Sequence, residues 1–245
     1  MIKTSRGFTL IEMAIVLIII TILIGGLAVP LSAQIQARRI AETKKTLEEA
    51  REAIIGYAMT HNTGGATPRP YLPCPDTNAI PDGRENRTVT GACDQPDGWF
   101  PWVDLGTAPQ DAWGNYLHYS VENREYSDSS KGMPNLAPPL YTPPYANLVF
   151  KQICRDSTCA TLEAIYLPVV LFSHGPNGWG ARNINGNTLA TPTSADELEN
   201  TNADVNFVSR TPTKADNPSG EFDDLAVWIS GSLLRSRVCP AGGCP

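Results

Sequence analysis

The sequence predicts an α+β protein, a long N-terminal helix packed on an antiparallel β-sheet with long loops. Three features carry this expectation. An almost unbroken apolar run from Met13 to Leu31 passes into a stretch of helical periodicity that reaches about residue 62. Beyond residue 115, short apolar stretches alternate or run continuously as strands do. Between them, twenty glycines and twenty-one prolines punctuate the chain, as a loop-rich head requires.

Composition sets the outer bounds. With 245 residues, 42% hydrophobic and 18% charged, the chain is ordinary for a globular protein once its apolar start is set aside. One anchored domain is expected: residues 1–7 a leader, 8–31 a membrane-length helix, 32–62 its amphipathic continuation, and 63–245 a head with a polar insertion at about 177–220. The net charge of −6 offers no basic footprint, so nucleic acid is not an expected partner.

The first element is Gly7-Phe8-Thr9-Leu10-Ile11-Glu12 and the apolar run behind it. That run matches the roughly twenty residues a helix needs to cross a bilayer. Glu12 then lies at membrane depth, where an ionised group needs a function or a partner. A secretory signal peptide does not fit, because Lys3 and Arg6 are followed at once by Gly7 and no A-x-A-like site follows the apolar run. The small-residue junction precedes the helix, so cleavage between Gly7 and Phe8 removes a short leader and leaves the helix attached.

At these residues the chain resembles type IV pilins and the pseudopilins of type II secretion, whose leaders end in Gly followed by Phe-Thr-Leu-Ile-Glu. The resemblance implies a type IV pilin-like fold, cutting after Gly7 by a prepilin peptidase, N-methylation of the new Phe8 amine, and packing of many such helices into a filament core. The implied partners are other pilin or pseudopilin subunits, the peptidase and the inner membrane, with the head in the periplasm. An ammonium at Phe8 of one subunit and the Glu12 carboxylate of its neighbour would neutralise each other in an apolar bundle and set the register between subunits.

Counting charge alone, Arg38, Arg39, Lys44 and Lys45 after the span outweigh Lys3 and Arg6 before it and would keep the head inside. Six cysteines, all beyond the span, and the cleavage junction argue for the outside instead. Gly25, Gly26 and Pro30 predict a kink or local melting at the end of the run. In pilins a proline near this place marks where the helix loosens on assembly. Beyond it, Ile35, Ile40, Ala41, Lys44, Leu47, Ala50, Arg51, Ile54, Tyr57 and Ala58 recur at three- and four-residue steps, while Arg39, Glu42, Lys45, Glu48, Glu49 and Glu52 form a solvated face. Asn62-Thr63-Gly64-Gly65 ends the helix, with His61 at the surface beside it.

Six cysteines permit fifteen pairings and the sequence selects none. Sequential pairing is expected: Cys74 with Cys93, Cys154 with Cys159, and Cys239 with Cys244. The chain-entropy model gives roughly 2 kcal/mol for each tight loop and about 3 for the longer one. Zinc is the poorer reading, since these C-x₄-C pairs have no neighbouring His.

From Pro68 to Pro109, turns such as Pro81-Asp82-Gly83 and Pro96-Asp97-Gly98 predict little regular structure, with Trp99, Phe100 and Trp102 plugging the region onto helix and sheet. Asp111-Ala112-Trp113-Gly114-Asn115 reads as a turn before a strand at Tyr116–Val121. It is similar to the Asp-Pro-Trp-Gly-Asn turn of major pseudopilins, departing at Ala112. After a proline-rich loop from Pro134 to Pro144, strands are expected at Asn147–Lys151 and, apolar on both faces and therefore central, at Ile165–Ser173. Leu233–Val238 reads as a last strand.

Ser173 beside His174 suggests a hydrolase, but adjacent strand residues point to opposite faces and no G-x-S-x-G elbow is present, so no enzyme and no small-molecule substrate are expected. The similar place in major pseudopilins opens a calcium-binding loop that closes with acidic residues before a Trp-containing strand. Glu221-Phe222-Asp223-Asp224 before Trp228 resembles that closure, which implies calcium on Asp223 and Asp224 with backbone carbonyls near Ser173. The alternative is that both aspartates cap a turn. The expected function is that of a filament subunit, a minor pilin or pseudopilin. The rival is a filament-associated binding module or adhesin whose loops recognise a surface, a secreted substrate or DNA. The sequence does not separate a pilus from a secretion system.

Overall fold

The computed structural model describes residues 8–134 and 149–239, apart from the side chains of 25–30. Gly7, Cys244 and most of the Pro134–Pro144 loop lie outside these residues, as do the first two positions of the strand expected at Asn147. The chain divides into two units, residues 1–41 and 42–245.

One helix, α1 (Leu10–Thr60), runs through both. It continues as helix across Gly25, Gly26 and Pro30, so the expected melting is absent. A proline removes one donor from the ladder, and strong helix formers on both sides are enough to carry the helix past it. Among the described residues no helix is long and apolar enough to cross a membrane.

In the second unit, burial of α1 starts at Thr43 and follows Leu47, Ala50, Ile54, Tyr57 and Ala58, the three-four spacing of one helical face. Ile35, Ala41 and Lys44, expected in that series, are exposed. His61 is exposed as expected, with its ring stacked on Tyr57 at 3.7 Å. Tyr57 also reaches Glu85 through its hydroxyl, at 2.9 Å.

Two sheets make the head. The first has the order β1 (Asp97–Trp99), β2 (His118–Val121), β5 (Val169–Ser173), β7 (Leu225–Ile229), every pair antiparallel. The second has the order β4 (Leu162–Leu167), β3 (Lys151–Cys154), β6 (Asn206–Val208), and there β6 runs parallel to β3. The expectation of a single antiparallel sheet is corrected accordingly.

The strand expected at Ile165–Ser173 is also corrected, because it is two strands in two sheets. Tyr166 takes a left-handed φ of 59° and Pro168 lacks a ladder donor, so the chain turns a corner between Leu167 and Val169. Its second half keeps the predicted role: β5 is buried at every residue and lies between β2 and β7. Ile153, Leu167, Val170, Phe172 and Phe207 form a core cluster drawn from both sheets.

Asp97-Gly98 is strand, not turn. Its Asp97 carboxylate meets His118 Nε2 across the ladder at 2.8 Å, and a Cβ on Gly98 would stand 2.6 Å from the Asp76 carbonyl oxygen. Around it the proline-rich segment is otherwise irregular, with one short helix, α2 (Trp102–Leu105). Phe100 is fully buried edge-on to Tyr119, and Trp102 stacks on Tyr116. The polar insertion is not a bare loop, for it holds α3 (Ala195–Glu199) and β6.

Leu233–Val238 is helix, within α4 (Gly231–Val238), and not a last strand. Ser230 caps it by accepting from Leu233 N, and Leu234 alone is buried, a one-sided pattern that suits a short helix at the edge of the core. Disulfides join Cys74 to Cys93 and Cys154 to Cys159, as sequential pairing predicts. The third expected pair, Cys239 with Cys244, reaches outside the described residues.

Candidate functional site

Two places hold the residues singled out by the sequence, one in each unit. In the first, α1 begins with its apolar side chains open to the surroundings: Phe8 is 84% exposed and Leu10 93%. Glu12 sits among them with a local partner. Thr9 N and Thr9 Oγ1 both donate to Glu12 Oε2, at 2.8 and 2.9 Å, and Glu12 N donates back to Thr9 Oγ1 at 3.3 Å. This is a capping box, in which the residue before the helix and the third residue within it satisfy each other's free backbone donors. Its T-x-x-E signature was present in the sequence, yet Thr9 was not singled out.

The second place lies where β5 and β7 end side by side. Ser173 pairs with Leu225 at the last rung, so the residues that follow β5 meet those that precede β7. Ser173 Oγ donates to Asp111 Oδ2 at 2.6 Å and accepts from Gly175 N at 3.1 Å. Asp111 Oδ1 takes Trp113 N and Asn115 N, both at 2.9 Å. The Asp111–Asn115 turn and the Ser173–Gly178 turn are therefore joined through one buried carboxylate. Burial holds the Asp111 carboxyl above its usual range, against the pull of the Ser173 hydroxyl and the backbone donors.

On the other side of that loop stands Asp223. Gly175 presses against it so closely that a Cβ would lie 2.2 Å from its carbonyl oxygen, and the glycine's φ of 60° suits this approach. Asn177 N donates to Asp223 Oδ2 at 3.2 Å. The neighbouring Asp224 is buried and accepts from Asn200 Nδ2 at 2.7 Å. Asn200 in turn pairs with the backbone of Val208, binding β6 to this corner.

Glu197 of α3 completes the group. Its carboxylate accepts from Asp223 N at 3.0 Å and from Asn177 Nδ2 at 3.2 Å. One oxygen from each of Glu197, Asp223 and Asp224 lies within 4.8 Å of the others. Burial, then the Glu197 charge, pushes Asp223 up to about 7. Burial also raises Asp224 well above the carboxylate range and raises Glu197. Asp223 Oδ1 and Asp224 Oδ1 are buried without a hydrogen-bond partner among the described residues.

His174 is fully buried against Phe172 and His118, and its Nδ1 stands 4.0 Å from Asp224 Oδ1. Burial and the nearby His118 lower its pKa to about 3, which keeps it neutral. Ser173 and His174 thus serve different neighbours, and the absence of a Ser-His couple agrees with the strand argument. Asp223 and Asp224 stand beside the loop that follows Ser173. Glu197 was missed, since no spacing in the polar insertion marks it.

No curated protein and no solved structure matches the chain. Residues 2–28 match a family model described as the prokaryotic N-terminal methylation motif, which spans Gly7, Phe8, Thr9 and Glu12 and ends before the head. The chain therefore carries the prokaryotic N-terminal methylation motif at its start, a match that supports the type IV pilin and pseudopilin family.

Proposed function

We propose that this protein is a structural subunit of a type IV filament, a minor pilin or pseudopilin with an enlarged head. A prepilin peptidase cuts after Gly7, the Phe8 amine is methylated, and residues 8–31 hold the subunit in the inner membrane with its head in the periplasm until assembly. The observation that carries this reading is the methylation motif set on the start of α1, where the apolar side chains from Leu10 to Ile24 face outward and the one acid among them is Glu12. Such a surface needs lipid or other helices around it. In the filament, the Phe8 ammonium of one subunit neutralises Glu12 of its neighbour. The work is assembly and contact, without turnover.

Glu12→Gln tests the pairing. Glutamine serves a capping box as well as glutamate does, so it keeps the local cap and removes only the charge. Both Glu12→Gln and Glu12→Ala are expected to be cleaved to a chain beginning at N-methylated Phe8, read by mass spectrometry, yet to be depleted from sheared filaments. Normal incorporation of Glu12→Gln would overturn the pairing.

In the head we propose a calcium ion at Asp223 and Asp224, as the resemblance of these sequence motifs to those of major pseudopilins implies. Calcium takes six to eight hard oxygens from irregular loops. Two buried carboxylate oxygens without partners, beside a glycine loop that crowds Asp223, suit that demand. Bound there, the ion would neutralise the aspartates and fix the ends of β5 and β7.

A further inference from the structure

Resting on that calcium reading, we propose that the polar segment 177–220 supplies a ligand of its own, Glu197, so that the bound ion fastens this segment to the start of β7. The two aspartates precede β7 in sequence, whereas Glu197 comes from α3, inside the insertion. The chain folds α3 back so that a Glu197 oxygen stands within 4.8 Å of oxygens of both Asp223 and Asp224.

The second observation is the state of the carboxylates. Asp224, with its side chain only 1% exposed, leaves Oδ1 without a hydrogen-bond partner, and Asp223 leaves its own Oδ1 the same way. Buried acceptors in native proteins are satisfied as a rule, and an orphan calls for an unseen water or ion. Cationic side chains do not fill the role. Arg210 of the segment is spent on Asp196 at 2.6 Å, on Thr213 and on the Ser219 carbonyl. His174 is the only basic group within 4.0 Å of the aspartates among the described residues, and its Nδ1 makes no hydrogen bond to them. Three acids gathered this closely repel one another when ionised, and a divalent ion removes that repulsion.

The existing ties of the segment show what the ion adds. Asn200 links Asp224 to Val208, and Asn177 links Asp223 to Glu197. All are neutral-donor bonds, and the longest of those made by Asn177, to Glu197 Oε2, is 3.4 Å. Coordination by Glu197 would replace the weak end of this chain with a direct link through the metal.

The test uses the full-length protein in detergent, stripped with EGTA and titrated with calcium chloride by calorimetry, with magnesium chloride as a control. Limited proteolysis mapped by mass spectrometry reads the segment 177–220. The wild type is expected to bind calcium and to resist cleavage within 177–220 when calcium is present. Glu197→Gln is expected to weaken binding at least ~10-fold and to lose that protection. Asp223→Asn reports on the calcium reading itself. If Glu197→Gln binds as the wild type does while Asp223→Asn does not, the calcium reading stands and this inference falls. If the wild type binds no calcium, both fall. Should Glu197→Gln fail to fold, the wild type still decides: calcium bound without any change in cleavage of 177–220 overturns the inference.

Discussion

Replacing Asp111 by alanine is the sharpest probe of how the head is held together. Its carboxylate, in a residue 3% exposed, accepts from the Ser173 hydroxyl at 2.6 Å and from the backbone N–H of Trp113 and Asn115 at 2.9 Å. Alanine leaves three donors without an acceptor, and each buried orphan costs roughly 1–3 kcal/mol. The three do not add fully, because water entering the space relieves some of them. Burial raises the Asp111 carboxyl despite these donors, so the charge itself contributes little and the orphaned donors dominate.

The net expectation is a loss of about 3–4 kcal/mol, in the upper tail of single substitutions. For a chain of this size that lowers the melting temperature by about 6–16 °C. Asp111→Asn keeps one oxygen for the two backbone donors, and the Ser173 hydroxyl can turn to accept from the new amide, so about 1 kcal/mol is expected. Thermal unfolding of the full-length protein in detergent, followed by near-UV circular dichroism, measures both. A loss below ~1 kcal/mol for Asp111→Ala would refute the idea that this carboxylate joins the two turns.

Two further outcomes are expected. Ser230→Ala removes the acceptor for Leu233 N at the start of α4 and is expected to lower stability by about 1 kcal/mol, read by the same unfolding; no change would mean that α4 does not depend on its cap. In EGTA, stability is expected to fall as pH rises from 5 to 8. The raised Asp223, Asp224 and Glu197 hold protons in the folded chain that the unfolded chain gives up, so their contribution is full below the unfolded carboxylate range and falls as pH rises above it, that of Asp223 being lost as pH climbs through about 7. Calcium is expected to flatten this slope, and an equal slope with and without calcium would count against the site.

Periodicity made the head half of α1 legible, because Leu47, Ala50, Ile54 and Tyr57 bury one face at regular steps. It also made β5 legible as a central strand. It failed where a short segment carries two signals at once. Leu233–Val238 is too short for either period to show, and only Ser230, in capping position, marks the helix. Pro168 was visible, but its meaning as a corner between two sheets depended on β4 finding β3, a pairing that no local pattern encodes. The site divides in the same way. Asp223 and Asp224 stand in an acidic run before a strand and were legible, as was the Asp111 turn. Ser173 lies 62 residues from Asp111, and Glu197 lies 26 from Asp223, so their meetings belong to the tertiary fold alone.

On the filament reading, one carboxylate, that of Glu12, serves two states. Among the described residues only its Oε2 is engaged, by both donors of Thr9, and no partner is found for Oε1. The capping box lets the acid persist at the start of an apolar helix before assembly, since its charge sits over the free backbone donors of the first turn, the end of the helix that favours an anion. On the filament reading, Oε1 is the oxygen left for a neighbour's ammonium. Pairing then needs no break in the local cap, and a subunit can enter the filament with its helix start already formed. On the same reading Thr9 has a part in assembly that is distinct from charge: it fixes where the carboxylate points, while Glu12 would supply what the neighbour binds.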